Sequence, residues 1–137
     1  MDASLALKLV LPEDDSDYTE ALWASWVAQE ITVVAPYLLA YEVSSVIRNK
    51  VYRGKITVED GDMAFAKVHA QGIVLLHPKE LVSVAWDLAK RFNRPAAYDS
   101  HYLALAQLLD CALWTADKRL YNTVCDALPW VHCLNKP

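Results

Sequence analysis

A chain of 137 residues fits one domain and is long enough to bury a core without disulfide or metal staples. Apolar residues make up 55 % of it and the net charge is −4, from 13 Lys plus Arg against 17 Asp plus Glu. The first figure excludes disorder over most of the chain and leaves apolar surface for a partner; the second excludes an overall basic field for holding nucleic acid, so such a partner would need local basic patches or metal ions.

No apolar run approaches the roughly 18 residues of a membrane span, and the best stretch, Val33 to Tyr41, is broken by Pro36. That excludes an integral membrane protein. Asp2 in place of a basic leader, Lys8 inside the first apolar run, and Glu13, Asp14, Asp15 and Asp17 after it make no secretory signal, so a cytoplasmic chain is expected. Cys111, Cys125 and Cys133 are odd in number and lack zinc or redox spacing, which suits unpaired thiols packed in the core.

The hydrophobic period then changes along the chain. After a first segment ending near Leu11 and Pro12, Asp17 and Glu20 form a capping-box pattern for a helix over about 17 to 30 that carries Leu22, Trp23, Trp26 and Val27. Glu13 to Asp17 reads as a solvated loop and cap. Ile31 to Ala35 is a β-branched strand, and Pro36 opens a helix with Leu39, Val43, Val46 and Ile47 on one side. Thr57 and Asp60 start a third helix, which Gly61 weakens and Gly72 stops before a strand over Ile73 to Leu76. A helix over Lys79 to Phe92 is closed by Asn93 and Pro95, and another runs from about Ala97 to Leu109. Strand Cys111 to Trp114, helix Ala116 to Leu128 and strand Val131 to Leu134 complete a β/α alternation, giving an α/β fold with three layers and a mostly parallel sheet. No linker or repeat divides it, so residues 1–137 are expected to form a single domain.

In such sheets ligands bind beyond the carboxyl ends of the strands. Asp2, Asp99 and Asp117 fall at such points, and Glu42 lies at the rim of the apolar face made by Leu39, Val43 and Val46. Burying these acids together raises their pKa values unless a divalent cation compensates, and a carboxylate set without clustered His or Cys suits Mg²⁺ or Mn²⁺. Acids at helix starts also serve as caps, and spacing alone leaves both readings open. The four histidines have no ligand spacing, and His101, two residues after Asp99, points to another side of its helix.

Four local sequences in order carry a resemblance over essentially the whole chain: Asp2-Ala3-Ser4, then Pro36 to Val43 around Glu42, then Tyr98-Asp99-Ser100-His101-Tyr102-Leu103-Ala104-Leu105-Ala106, then Leu113-Trp114-Thr115-Ala116-Asp117-Lys118-Arg119-Leu120. Together they resemble the PIN-domain ribonucleases, specifically toxins of the VapC type. The resemblance implies a Mg²⁺- or Mn²⁺-dependent endoribonuclease whose metal-binding and catalytic acids are Asp2, Glu42, Asp99 and Asp117, with Ser4 and Thr115 as supporting polar neighbours. It also implies an RNA substrate, a cognate antitoxin and a homodimer. Members of the family usually have several apolar residues before the first Asp, forming a central strand; here only Met1 precedes it, so the first strand is expected to be shortened.

A PIN-like binding module without catalysis is the alternative, favoured if that strand is missing. A phosphatase opening on Asp-x-Asp fits poorly, since Ser4 occupies the third position. Arg48, Lys50, Arg53 and Lys55, and Lys90, Arg91 and Arg94, either guide an RNA backbone or simply complement helix C-termini; Lys118 and Arg119 stand beside the expected site. Trp23 and Trp26 belong either to the core or to a groove for a partner helix.

Overall fold

The computed structural model describes residues 1–12 and 16–134. Among these, seven helices alternate with four short strands in a three-layer α/β arrangement. Helices α1 (Ala3–Val10) and α2 (Ser16–Ala28) precede strand β1 (Val34–Pro36), followed by α3 (Leu38–Tyr52), α4 (Val58–Ala70) and β2 (Val74–Leu76). Then come α5 (Leu81–Arg91), α6 (Tyr98–Leu109), β3 (Leu113–Thr115), α7 (Lys118–Val124) and β4 (Val131–Cys133).

Strand pairing among the described residues is parallel, as buried strands joined by helical crossovers require. It is divided, however, into two ladders: β1 with β2, Val34 facing Val74 through Pro36 facing Leu76, and β3 with β4, Leu113 facing Val131 through Thr115 facing Cys133. Two residues of chain, Met1 and Asp2, lie between them. The Met1 ammonium donates to the Val34 carbonyl at 3.0 Å, and the Asp2 N–H donates to the Trp114 carbonyl at 3.1 Å. Asp2 is extended (φ −96°, ψ 175°) and at once caps α1, so the backbone passes directly from this extended pair into a helix.

Local chemistry explains the element ends. Pro36 closes β1 rather than opening α3, which begins two residues later. Asp17 lies inside the first turn of α2; Glu13, Asp14 and Asp15, read as loop and cap, lie outside the described residues. Thr57 caps α4 by accepting the Asp60 N–H at 3.0 Å, and Gly72 follows it at φ +68°. Gly61 is required rather than merely tolerated in α4: a Cβ there would come 2.5 Å from Val51 Cγ2, so the glycine lets α3 and α4 approach closely.

The C-terminus of α5 is a paired-bond cap with Asn93 in the left-handed region at φ +48°; the Asn93 N–H donates to the Lys90 carbonyl and the Arg94 N–H to that of Ala89, at 3.1 and 2.8 Å. Helix α6 buries Ser100 and Tyr102 to Ala106 as it packs on α5, β1 and β3. Trp26 is only 9 % exposed and meets Trp23 and Trp114 edge to face, with ring centroids 6.0 and 5.7 Å apart. That places Trp26 in the core. Among the cysteines only Cys133 is buried, and Cys111 is exposed, so the core-packing expectation holds for one of three. No helix among the described residues is long and apolar enough to cross a membrane.

Candidate active site

Asp2 is buried and organises the junction between the two ladders. Its Oδ1 accepts the Leu5 N–H at 3.1 Å, which caps α1, and the Ser4 hydroxyl at 2.7 Å; its Oδ2 accepts the Thr115 hydroxyl. Because both hydroxyl protons go to the carboxylate, the 3.2 Å contact between Ser4 Oγ and Thr115 Oγ1 carries none, and each oxygen is left to accept. Ser4 Oγ accepts the Ala116 N–H and Thr115 Oγ1 the Asp117 N–H, both at 2.9 Å. The turn after β3 is thus tied to Asp2 through two hydroxyls. Burial pushes the Asp2 carboxyl up from its ordinary value while the bonds from Thr115, Ser4 and Leu5 pull the other way.

Asp117 starts α7. Its Oδ1 accepts the N–H groups of Arg119 and Leu120 at 2.8 and 3.1 Å, which is N-cap geometry. Glu42, on α3, is half-buried and accepts the hydroxyl of Tyr102 at 3.2 Å. Its carboxyl is raised by burial and further by the negative charges of Asp99 and Asp2, while the Tyr102 bond opposes the rise. The phenol of Tyr102 is in turn driven upward by burial and by Glu42, Asp2 and Asp99. One side chain of α6 therefore feels three of the four acids. Asp99, in the first turn of α6, accepts Arg94 Nη2 on Oδ2 at 2.9 Å.

The cap reading and the site reading of the sequence are thus compatible: Asp2 and Asp117 cap helices at the strand ends where they were expected. Glu42 lies within electrostatic reach of both Asp2 and Asp99, and Tyr102 within reach of all three. As the side chains stand, though, no group of three or more His, Cys, Asp or Glu residues among the described ones is arranged to hold an ion. Each acid is turned to a partner of the protein's own. Glu42 Oε2, Asp99 Oδ1 and Asp117 Oδ2 keep no hydrogen-bond partner among the described residues.

The histidines stay apart from these acids. His101 Nδ1 bonds the Ala97 carbonyl at 2.6 Å, while His69, His77 and His132 lie against Phe65, Tyr37 and Trp114. Lys118 and Arg119 are exposed beside Asp117. Lys90 pairs with Asp87 at 3.5 Å, and Arg91 stands over the Phe92 ring at 5.0 Å. Two residues gain a place at the site from the structure. Tyr102 was legible in principle, being one helical turn after Asp99; Arg94 was read only as one of a basic group, because its reach across the loop to Asp99 has no periodic signature.

A PIN domain family model matches residues 1–124. The chain belongs to the PIN-domain family. Among curated proteins it is 30 % identical over 123 residues, 90 % of this chain and 88 % of the other, to the VapC ribonuclease Mb0985 of Mycobacterium bovis. Ribonuclease VapC9 of Mycobacterium tuberculosis is similar to the same extent.

Proposed function

We propose that this chain is a divalent-metal-dependent endoribonuclease, the toxin of a toxin-antitoxin pair, acting as a single PIN domain over residues 1–137. The observation that supports this most is the acid set at the ladder junction, Asp2, Glu42, Asp99 and Asp117, in a chain similar to VapC ribonucleases over nine-tenths of its length. The donor chemistry fits a hard cation such as Mg²⁺ or Mn²⁺: only carboxylate oxygens, three of them without a hydrogen-bond partner among the described residues, and a Glu42 carboxyl raised by burial and by the negative charges of Asp99 and Asp2.

A cation bound by these acids would supply positive charge to the phosphodiester as negative charge develops on it and would acidify water. The protein's own residues do the rest. Asp2, through Ser4 and Thr115, fixes the turn that carries Asp117. Tyr102 orients Glu42 by donating to Oε1. Asp99 offers Oδ1 from the first turn of α6. Lys118 and Arg119, exposed beside Asp117, provide cationic contacts for an RNA backbone.

A cognate antitoxin and a homodimer belong to the same reading. Exposed apolar and aromatic side chains such as Val27, Ile31, Tyr41 and Trp86 are available to such partners. The chain's expected place is the cytoplasm. A non-catalytic module draws support from one observation, that the acids are engaged by the protein itself rather than converged. Incubating the purified chain with single-stranded RNA separates the two. Cleavage in Mg²⁺ or Mn²⁺ that stops with EDTA and returns on metal addition is the expected result; intact RNA under every metal condition, or cleavage indifferent to EDTA, would overturn it.

A further inference from the structure

We propose that Arg94 is the resident counter-cation of Asp99: it holds this carboxylate when no metal ion is present and competes with a divalent ion for it, so Arg94 sets how tightly the acids take up a cation. The inference rests on the reading of the acids given above.

The backbone supplies the first argument. Arg94 is held by the cap of α5, its N–H on the Ala89 carbonyl at 2.8 Å with Asn93 at φ +48° before it, so its side chain starts from a fixed point on the α5–α6 connection. From there Nη2 reaches Asp99 Oδ2 at 2.9 Å, with side-chain exposures of 21 % for Arg94 and 39 % for Asp99. The contact is local in sequence but joins the end of one helix to the first turn of the next.

The guanidinium supplies the second. An arginine kept for structure satisfies its fork of five N–H donors with several acceptors. Among the described residues the Arg94 guanidinium makes one hydrogen bond, to Asp99, and its buried Nε has no acceptor. Among the described residues Asp99 alone bonds the head group, and its release breaks no other polar contact there. Asp99, for its part, is the one acid of the set whose bonded partner is a full positive charge; Asp2, Glu42 and Asp117 bond to neutral hydroxyl or backbone donors. A divalent ion at Asp99 therefore meets either repulsion from the guanidinium or the work of displacing it, and both weaken uptake.

The test is Mn²⁺ binding to the full chain by titration calorimetry, for wild type, Arg94→Gln and Arg94→Lys, each with and without Asp99→Asn. Arg94→Gln should tighten Mn²⁺ binding by about tenfold or more, the scale of removing one adjacent positive charge at intermediate dielectric. Arg94→Lys should stay near wild type, and the gain should vanish in the Asp99→Asn background. Weaker binding by Arg94→Gln would make Arg94 a residue that positions Asp99 for the ion, and unchanged binding would make it a bystander; either overturns the proposal. If Asp99→Asn and Asp117→Asn bind Mn²⁺ as wild type does, the acids are not the cation site, and the functional reading falls with the proposal. A measurement on the unmutated protein covers any failure of the variants to fold: the Arg94 Nε–H resonance should move as Mg²⁺ saturates the chain, and a resonance unmoved at saturation contradicts displacement.

Discussion

The Thr115 hydroxyl joins two acids of the site, donating to Asp2 Oδ2 while accepting the Asp117 N–H at 2.9 Å. Thr115 is fully buried and Asp2 nearly so, at 0 % and 5 % exposure. This side chain thus couples the cap of α1 to the turn that starts α7.

Replacing Thr115 by Val keeps the shape and removes both bonds. A buried carboxylate then loses one of its hydroxyl donors, and a backbone N–H loses its acceptor, which should cost about 2 to 4 kcal/mol on the scale of an unmet buried polar group at each end. Thr115→Ser retains the hydroxyl and should lose only about 1 kcal/mol, a buried methyl. Urea unfolding of the metal-free proteins measures both; equal losses would remove the hydroxyl from the account.

Asp117→Asn and Asp99→Asn should differ in stability without metal. Asparagine caps a helix about as well as aspartate, so Asp117→Asn should stay within about 0.5 kcal/mol of wild type. Asp99→Asn separates a partly exposed ion pair with Arg94, and a loss of about 1 kcal/mol or less is expected. The sequence alone suggests that both changes relieve like-charge repulsion; the Arg94 contact reverses that expectation for Asp99. Thermal melts of the two variants check it.

Glu42 gives a pH dependence whose sign follows from its surroundings. Burial, with like charge from Asp99 and Asp2, holds its carboxyl above the ordinary value of 4.5. The folded chain therefore binds this proton more tightly than the unfolded chain does. The associated stability is full below about pH 4.5 and is lost as pH rises through the elevated folded value. Glu42→Gln keeps an acceptor for Tyr102 and abolishes the titration. Metal-free Glu42→Gln should match wild type near pH 4 and become the more stable of the two toward pH 8. A constant difference across that range would contradict the raised carboxyl.

Trp26→Ala should cost about 3 to 5 kcal/mol, as for other aromatic truncations in a core, because Trp26 packs between Trp23 and Trp114. Chemical denaturation of the isolated chain reads this directly. A variant as stable as wild type would return Trp26 to the role of a partner's anchor.

Much of the fold was legible because it rests on periodicity and caps: Thr57, Gly72 and Asn93 mark helix ends in the sequence and mark them in the structure. The helix over Ala3–Val10 has no boundary signal in the sequence, because its cap, Asp2, stands at the second residue, where no preceding pattern sets one. The division into two ladders was hidden for a related reason, since strand pairing is a property of distant segments. Gly61 was read as a weakness because the packing of Val51 against it is invisible in one dimension. At the site, residue types and strand-end positions pointed to Asp2, Glu42, Asp99 and Asp117, whereas their bonds to Thr115, Tyr102 and Arg94 depend on side-chain reach across elements.

The most direct test of the account is RNA cleavage in Mg²⁺ or Mn²⁺ by wild type, Asp99→Asn and Asp117→Asn, all shown to be folded. Each amide keeps the shape of the acid and removes the charge that would hold a cation. The account predicts cleavage by wild type and a loss of about 100-fold or more in each variant, on the scale of lost charge stabilisation in a transition state. Cleavage at the wild-type rate by both folded variants would contradict it.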